Sequence, residues 1–318
     1  MTDILETIAS RHSWRTYNAQ QLDTATLAGI ADAIKQATDY VASLAPAVRF
    51  TAHGHTVEPA RPEIHLTTDP ALNGAIGTYG FIKGARHYLI LATGTTLADR
   101  LTGAIAMQHL ILHATAAGLD TCWLGGTFSR KRFARAIDKC HPGHEIIAVS
   151  PIGHRAPSTR IAERLMRAAI RETTRKPFAT LFKGIAPPDS FGPLHKYNLQ
   201  AMSHTEKTAI AIEAIRLAPS ATNSQPWRAQ TNGKGLITLS CTTDNAYTPL
   251  DMGIALTHFM LAADALGLDY RATVDTSASV PLITIATHCP PPRHNNRRRR
   301  GPAGNPAKIA SETASETA

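Results

Sequence analysis

The run Arg216-Leu-Ala-Pro219-Ser220-Ala-Thr222-Asn223-Ser224-Gln225-Pro226-Trp227-Arg228 follows an apolar-periodic helix and gathers two prolines, three hydroxyls, an amide pair and a tryptophan. Pro219 stops the helix and Pro226 sets a second bend. Between them, Ser220, Thr222, Asn223, Ser224 and Gln225 carry more donors and acceptors than the turn's own backbone requires. Asn and Gln place donor beside acceptor, which suits the edge of a flat heterocycle that alternates C=O and N–H, while Pro and Trp supply apolar cover. The same residues also suit a plainer reading, a helix C-terminus followed by an Asx turn.

Upstream and downstream of this run the chain repeats itself. A shift of 149 residues lays His87–Ala92 over Leu236–Cys241, Ala106-Met-Gln-His109-Leu over Ala255-Leu-Thr-His258-Phe, and Gly118-Leu-Asp120 over Gly267-Leu-Asp269. One offset that aligns a strand, a long apolar helix and its Gly stop points to two fused copies of one α/β unit. The helices, Leu101 to Leu119 in the first copy, are apolar almost all round and belong in the middle of the molecule, packed together across a pseudo-two-fold. The expected fold is α+β with antiparallel or mixed sheets. Residues 1–185 form the first unit, 186–289 the second, and 290–318 a basic tail.

At the N-terminus a short helix over residues 3–10 runs into Arg11-His12-Ser13-Trp-Arg15. Alternation puts guanidinium, hydroxyl and guanidinium on one side of an extended segment, a pattern that grips a phosphate; taken without context, the pattern is more often a solvated edge strand. Asp23 reads as the N-cap of a helix with Leu27, Ile30, Ala31, Ile34 and Ala37 on one face, and Val41 to Pro62 reads as loop. Later come the turn Leu124-Gly125-Gly126, a stripe of Arg160, Arg164, Arg167 and Arg171, and Arg175-Lys176-Pro177.

Composition narrows the class. Of 318 residues, 43% are hydrophobic and 18% charged, which is ordinary globular usage. No apolar run reaches the ~20 residues a bilayer requires, and the N-terminus lacks a secretory pattern, so the chain reads as cytoplasmic. Four separated cysteines form no C-x-x-C; Cys140, His141 and His144 lack a second cluster to complete a metal site, and no metal is expected. The segment from Pro290 carries six basic and two acidic residues, hence +4 of the net +9, and its low complexity cannot bury a core.

With Arg-x-Ser-x-Arg, Leu-Gly-Gly, Arg-Lys-Pro and Ala-Pro-Ser-x-x-Asn-x-Gln-Pro-Trp in this order, residues 1–288 resemble the FMN-dependent nitroreductase family, in particular a double-domain branch. The resemblance implies an FMN oxidoreductase that takes hydride from NADH or NADPH and passes electrons to an electron-poor organic acceptor such as a nitroaromatic or quinone. By the same resemblance Arg11, His12, Ser13 and Arg15 hold the FMN phosphate and ribityl chain, with Arg175 and Lys176 closing on the phosphate. Leu124, Gly125 and Gly126 face the reactive middle of the ring. Pro219, Ser220 and Asn223 reach over from the second half, supported by Gln225 and Trp227. Chemistry belongs to the flavin, and no side chain is assigned as catalytic. Lys83, Arg86 and His87 lie near the expected rim and carry no assignment.

The copies are not equivalent. Only the first has the phosphate grip and Leu-Gly-Gly, whose shifted counterpart is Thr273-Val-Asp275; only the second has Pro-Ser-x-x-Asn. The expectation is one composite flavin site per chain, its symmetry mate degenerate, with a single pseudo-dimeric chain as the functional unit. Two other readings stand beside it: a flavin-binding module without turnover, and a nucleic-acid-associated protein using the Arg stripe and Arg297–Arg300. The last lacks interleaved aromatics or a binding fold.

Overall fold

The computed structural model describes residues 3–137, 140–158, 161–169, 174–233 and 235–287. The tail at 290–318, Arg160 and Arg171 lie outside the described residues. Eleven strands appear among the described residues: β1 (Val48–Ala52), β2 (His55–Thr56), β3 (Glu63–Thr68), β4 (His87–Thr93), β5 (Asp120–Thr121), β6 (Glu145–Gly153), β7 (Phe182–Lys183), β8 (Trp227–Thr231), β9 (Leu236–Cys241), β10 (Arg271–Asp275) and β11 (Leu282–Ala286). Together with the helices they make a mixed α+β fold.

One sheet has the order β3-β4-β6-β5 and the other β2-β1-β10-β11-β9-β8-β7. Inside the larger sheet, β8-β9-β11-β10 reproduces the order of the smaller one, and every pair in both sets is antiparallel. A helix at Leu97–Ala116 links β4 to β5, and one at Thr248–Ala265 links β9 to β10. The first begins in a capping box, Thr96 accepting from Asp99 N–H and the Asp99 carboxylate accepting from Thr96 N–H. Each ends before a left-handed glycine, Gly118 (φ 77°) and Gly267 (φ 61°), so both stops in the repeat mark the same C-terminal geometry.

These two helices form the centre. A Cβ on Gly253 would lie 2.4 Å from Leu101 O and 2.8 Å from Ala104 Cβ, so the backbones touch here and only glycine fits. Ala104 and Gly253 are the residues that the 149-residue shift superposes. The two positions that the shift superposes thus meet at the helix crossing.

The strand β4 reads HYLILAT and every residue of it is buried. Its two faces serve different cores. Leu89 and Leu91 join the main cluster around the central helices, whereas Tyr88, Ile90 and Ala92 pack with Ile82, Leu124, Phe128 and Phe133 in a smaller one. Burial on both faces explains the unbroken apolar run. The smaller core also carries the Leu-Gly-Gly turn.

The loop expected from Val41 to Pro62 is corrected: it contains β1 and β2. β1 runs parallel to β10, with Val48 opposite Ala272 and Thr51 opposite Asp275. Its partner lies at the far end of the chain, and three alternating residues (Val48 and Phe50 buried, Arg49 exposed) are too short a pattern to announce a strand.

Candidate functional site

Arg11, Ser13 and Arg15 leave the helix Ile4–Ser10 in extended conformation and line one cavity of about 240 Å³. Both arginines are buried, at 7% and 8% exposure, which a solvated edge strand would not allow. Neighbouring backbone holds the segment in place. Trp14 N–H donates to Thr121 O (2.9 Å), Lys83 N–H to Arg15 O (2.9 Å) and Tyr17 N–H to Lys83 O (2.8 Å). A buried carboxylate completes the frame: Glu163, 1% exposed, accepts from Arg15 N–H (3.1 Å) and Thr16 Oγ1 (2.5 Å). Glu163 was legible only as the lone acid among the arginines of its helix.

The opposite wall is the turn after β5. Leu124 exchanges both backbone hydrogen bonds with Val149 (2.9 and 3.0 Å), which anchors the turn and leaves Gly125 and Gly126 as its cavity-facing backbone. A Cβ on Gly126 would meet the Tyr247 hydroxyl at 2.2 Å and one on Gly125 the Tyr247 ring at 2.9 Å. Tyr247 packs against both glycines, and a side chain on either one would have to displace it.

The second half contributes Pro219, Ser220, Ala221, Thr222 and Asn223 to the same cavity. This loop is strained: Thr222, Asn223 and Gln225 have φ of 50°, 55° and 47°. Each non-glycine residue in that region costs on the order of 1–3 kcal/mol and persists only when its surroundings enforce it. The enforcing contacts are on hand. Asn223 accepts from Arg175 Nη1 and donates to Thr174 O, both at 2.9 Å. Gln225 accepts from Lys176 N–H (2.8 Å) and donates to Thr174 O (3.1 Å), and Lys176 Nζ donates to Ser224 O (2.6 Å). From below, the Asp251 carboxylate accepts from Ala221 N–H at 2.9 Å.

Of the residues anticipated from the sequence, Arg11, Ser13, Arg15, Leu124, Gly125, Gly126, Arg175, Pro219, Ser220 and Asn223 therefore line one cavity. His12, Lys176, Gln225 and Trp227 do not. His12 is exposed, its Nδ1 on Ser10 O; Lys176 and Gln225 tie the 174–176 segment to the loop; Trp227 is fully buried in the main core at the start of β8. Lys83, Arg86 and His87 also lie off the cavity: Arg86 Nε donates to Ala19 O, and His87 Nε2 accepts from Leu22 N–H. Glu63 contacts His65 and His144, yet among the described residues no group of three or more His, Cys, Asp or Glu could hold a metal ion.

Phe81, Trp123, Tyr247 and Asp251 line the cavity without having been singled out from the sequence. Tyr247 and Asp251 sit at the start of the Thr248–Ala265 helix, which has Pro249 in its first turn, and nothing in the local sequence shows that this turn faces a cavity. Asp251 is 3% exposed, and burial, opposed by the Ala221 N–H, pushes its carboxyl up to about 7. The cavity thus combines cationic and hydroxyl donors at one end, glycine backbone and aromatic surface in the middle, and an ionisable carboxyl beneath the strained loop.

Residues 3–263 match the family model described as "Putative TM nitroreductase", and the chain belongs to that family. Among solved structures it is similar to a "putative nitroreductase" from Thermotoga maritima MSB8, at 18% identity over 90% of this chain and 94% of that one, with a TM-score of 0.49. It is also similar to two nitroreductases with bound FMN. The one from Bacteroides fragilis NCTC 9343 shows 19% identity over 51% of this chain and 92% of its own, with a TM-score of 0.35. The one from Desulfitobacterium hafniense DCB-2 shows 16% identity over 50% and 92%, with a TM-score of 0.37. No curated protein matches. No helix among the described residues is long and apolar enough to cross a membrane.

Proposed function

We propose that this chain is an FMN-dependent oxidoreductase with one flavin site, composed across its two halves and served by NADH or NADPH. The observation that carries the reading is convergence: the Arg11-Ser13-Arg15 grip, the Gly125–Gly126 turn, Arg175 and the Pro219–Asn223 loop face a single cavity although they are scattered along the chain. The donor set fits FMN. Three guanidiniums and a serine hydroxyl suit a phosphate dianion, glycine backbone permits close approach of a ring, and Leu124, Leu250, Ile254 and Trp123 give it apolar surface.

When bound, the flavin supplies hydride acceptance from a nicotinamide and two-electron transfer to an electron-poor organic acceptor. The chain's own residues bind and orient it. Arg11, Arg15 and Arg175 would hold and neutralise the phosphate; Asn223 steadies Arg175, and Glu163 fixes the backbone that carries Arg15. Gly125 and Gly126 would offer their backbone to the ring, and Tyr247, 36% exposed, packs against that backbone.

A single site is supported by the fate of its symmetry mate. Tyr247 lines the cavity at 36% exposure, whereas its repeat mate Ala98 is buried and carries no ring. Where the mate of the glycine turn would stand, Thr273–Asp275 are strand residues of β10, paired with β1. Tyr247 against the glycine turn favours a second reading, flavin binding without turnover. The nucleic-acid reading has no support in the cavity.

Visible absorption of the purified protein tests this, with released FMN counted per chain before and after anaerobic NADPH or NADH. About one flavin that bleaches is the expected result. A ratio near two refutes the single site, flavin that stays oxidised selects the binding module, and no flavin after reconstitution with FMN refutes the reading.

A further inference from the structure

Beneath the glycine turn, a buried hydrogen-bond relay joins the cavity wall to the second half. Trp123 Nε1 donates to Gln108 Oε1 (2.8 Å), Gln108 Nε2 lies 3.0 Å from His258 Nε2, and His258 Nδ1 lies 3.0 Å from Ala214 O. Gln108, His258 and Ala214 are 0% exposed. Both ends are chemically fixed, since an indole N–H can only donate and a carbonyl can only accept. Every bond between them can therefore run in one direction alone. The Gln108 oxygen must face Trp123, its NH₂ must donate to His258 Nε2, and His258 must be neutral with its proton on Nδ1. Burial agrees, pushing His258 down to about 3.

The relay crosses from the Leu97–Ala116 helix to the Thr248–Ala265 helix and on to the helix His204–Leu217. That last helix leads directly into Pro219 and Ser220. One set of bonds thus spans from the wall that carries Gly125 and Gly126 to the element that carries the strained loop. The repeat shows that it is not an inherited packing feature. The mates of Gln108, His258 and Trp123 are Thr257, His109 and Ala272. Thr257 Oγ1 donates to its own helix at Gly253 O (2.8 Å), His109 stacks on Tyr40 at 4.5 Å, and Ala272 has no indole. Among the described residues the relay exists on the cavity side of the pseudo-two-fold and has no counterpart on the other.

We infer that Gln108 and His258 are positioning residues: they lock Trp123 into the cavity wall and fix the register of the two halves so that the glycine turn and the Pro219–Asn223 loop face each other at flavin-binding distance. A fully satisfied buried polar network resists sliding, because any slip leaves an indole N–H, an amide and an imidazole unpaired at once. The role rests on the flavin reading above, and its test separates the two.

The experiment uses ¹⁵N-labelled full-length protein, Gln108→Met, Trp123→Phe and the double variant. Two readouts are taken: FMN dissociation constant by fluorescence quenching, and hydrogen exchange of the Trp123 indole N–H, identified by its loss in Trp123→Phe. In the wild type the indole proton is protected. Gln108→Met is expected to speed its exchange and to weaken FMN binding about tenfold, the size of one buried hydrogen bond. Trp123→Phe weakens binding to a similar degree, and the double variant binds within about twofold of the weaker-binding single one, because both single variants break the Trp123–Gln108 bond. Wild-type flavin binding with Gln108→Met unchanged within about twofold overturns the positioning role, as do fully additive losses. A wild type that binds no FMN overturns the functional reading itself, and the role with it.

Discussion

Replacing Asp251 by Asn is expected to make the flavin-free protein more stable at pH 8 and to leave it nearly unchanged at pH 4. Burial lifts the Asp251 carboxyl from its ordinary 3.8 to about 7, so the folded chain holds a proton that the unfolded chain releases. The folded value is raised. The stabilisation from this proton is fully present below about pH 4 and is lost as pH rises towards 7. At about 1.4 kcal/mol per pH unit over that window, the ionised carboxylate costs the fold up to about 4 kcal/mol, an upper bound for a site that can relax. Asn keeps a carbonyl for the Ala221 N–H and never ionises, so it removes the penalty and retains the tie to the strained loop. Urea unfolding in half-unit steps from pH 4 to 8.5 gives the difference directly. Groups that titrate alike in both proteins cancel. A gap between variant and wild type that does not change with pH, or a wild type that is the more stable protein at pH 8, refutes the assignment of the raised carboxyl to Asp251.

At the helix crossing, Gly253→Ala forces a Cβ to 2.4 Å from the Leu101 carbonyl, and backbone cannot step aside; a loss of about 1–3 kcal/mol is expected in thermal or urea unfolding. Gly126→Ala meets only the tip of the Tyr247 side chain, so its unfolding midpoint is expected to stay near wild type, and equal losses in the two variants would contradict the crossing geometry. Asn223→Ala removes the contacts to Arg175 and Thr174, and FMN quenching titrations are expected to show a loss of about 1–3 kcal/mol. Unchanged affinity would mean that Arg175 needs no help from the loop.

Much of the site was written in local chemistry. Arg11, Ser13 and Arg15 alternate, and alternation in an extended segment dictates a shared face whatever it packs against. Pro219 and the polar run after it dictate a loop with side chains to spare, and a run apolar almost all round, read from Leu101 to Leu119 with its glycine stop and its shifted counterpart, dictates buried helices, which the structure bounds at Leu97–Ala116 and Thr248–Ala265. The 149-residue repeat led to the expectation that those helices pack on each other, and the close approach of Gly253 to Leu101 and Ala104 is consistent with it. These readings depend on side-chain period, helix punctuation and self-similarity, all of which act over a few residues or along the chain itself.

Tertiary structure decided the rest. The β1 strand exists because β10 offers an open edge, and no residue near Val48 encodes that edge. Asn223 lines the cavity yet spends its amide on Thr174 and Arg175, and Lys176, Gln225 and Trp227 brace the loop or the core from outside the cavity; sequence spacing cannot tell a residue that lines a pocket from one that holds its wall. Glu163, Asp251 and the Gln108–His258 pair acquire their roles from burial beside partners far along the chain. Charge and polarity are properties of the residue, but desolvation and the direction of a hydrogen bond are properties of the neighbourhood. Only folding supplies the neighbourhood.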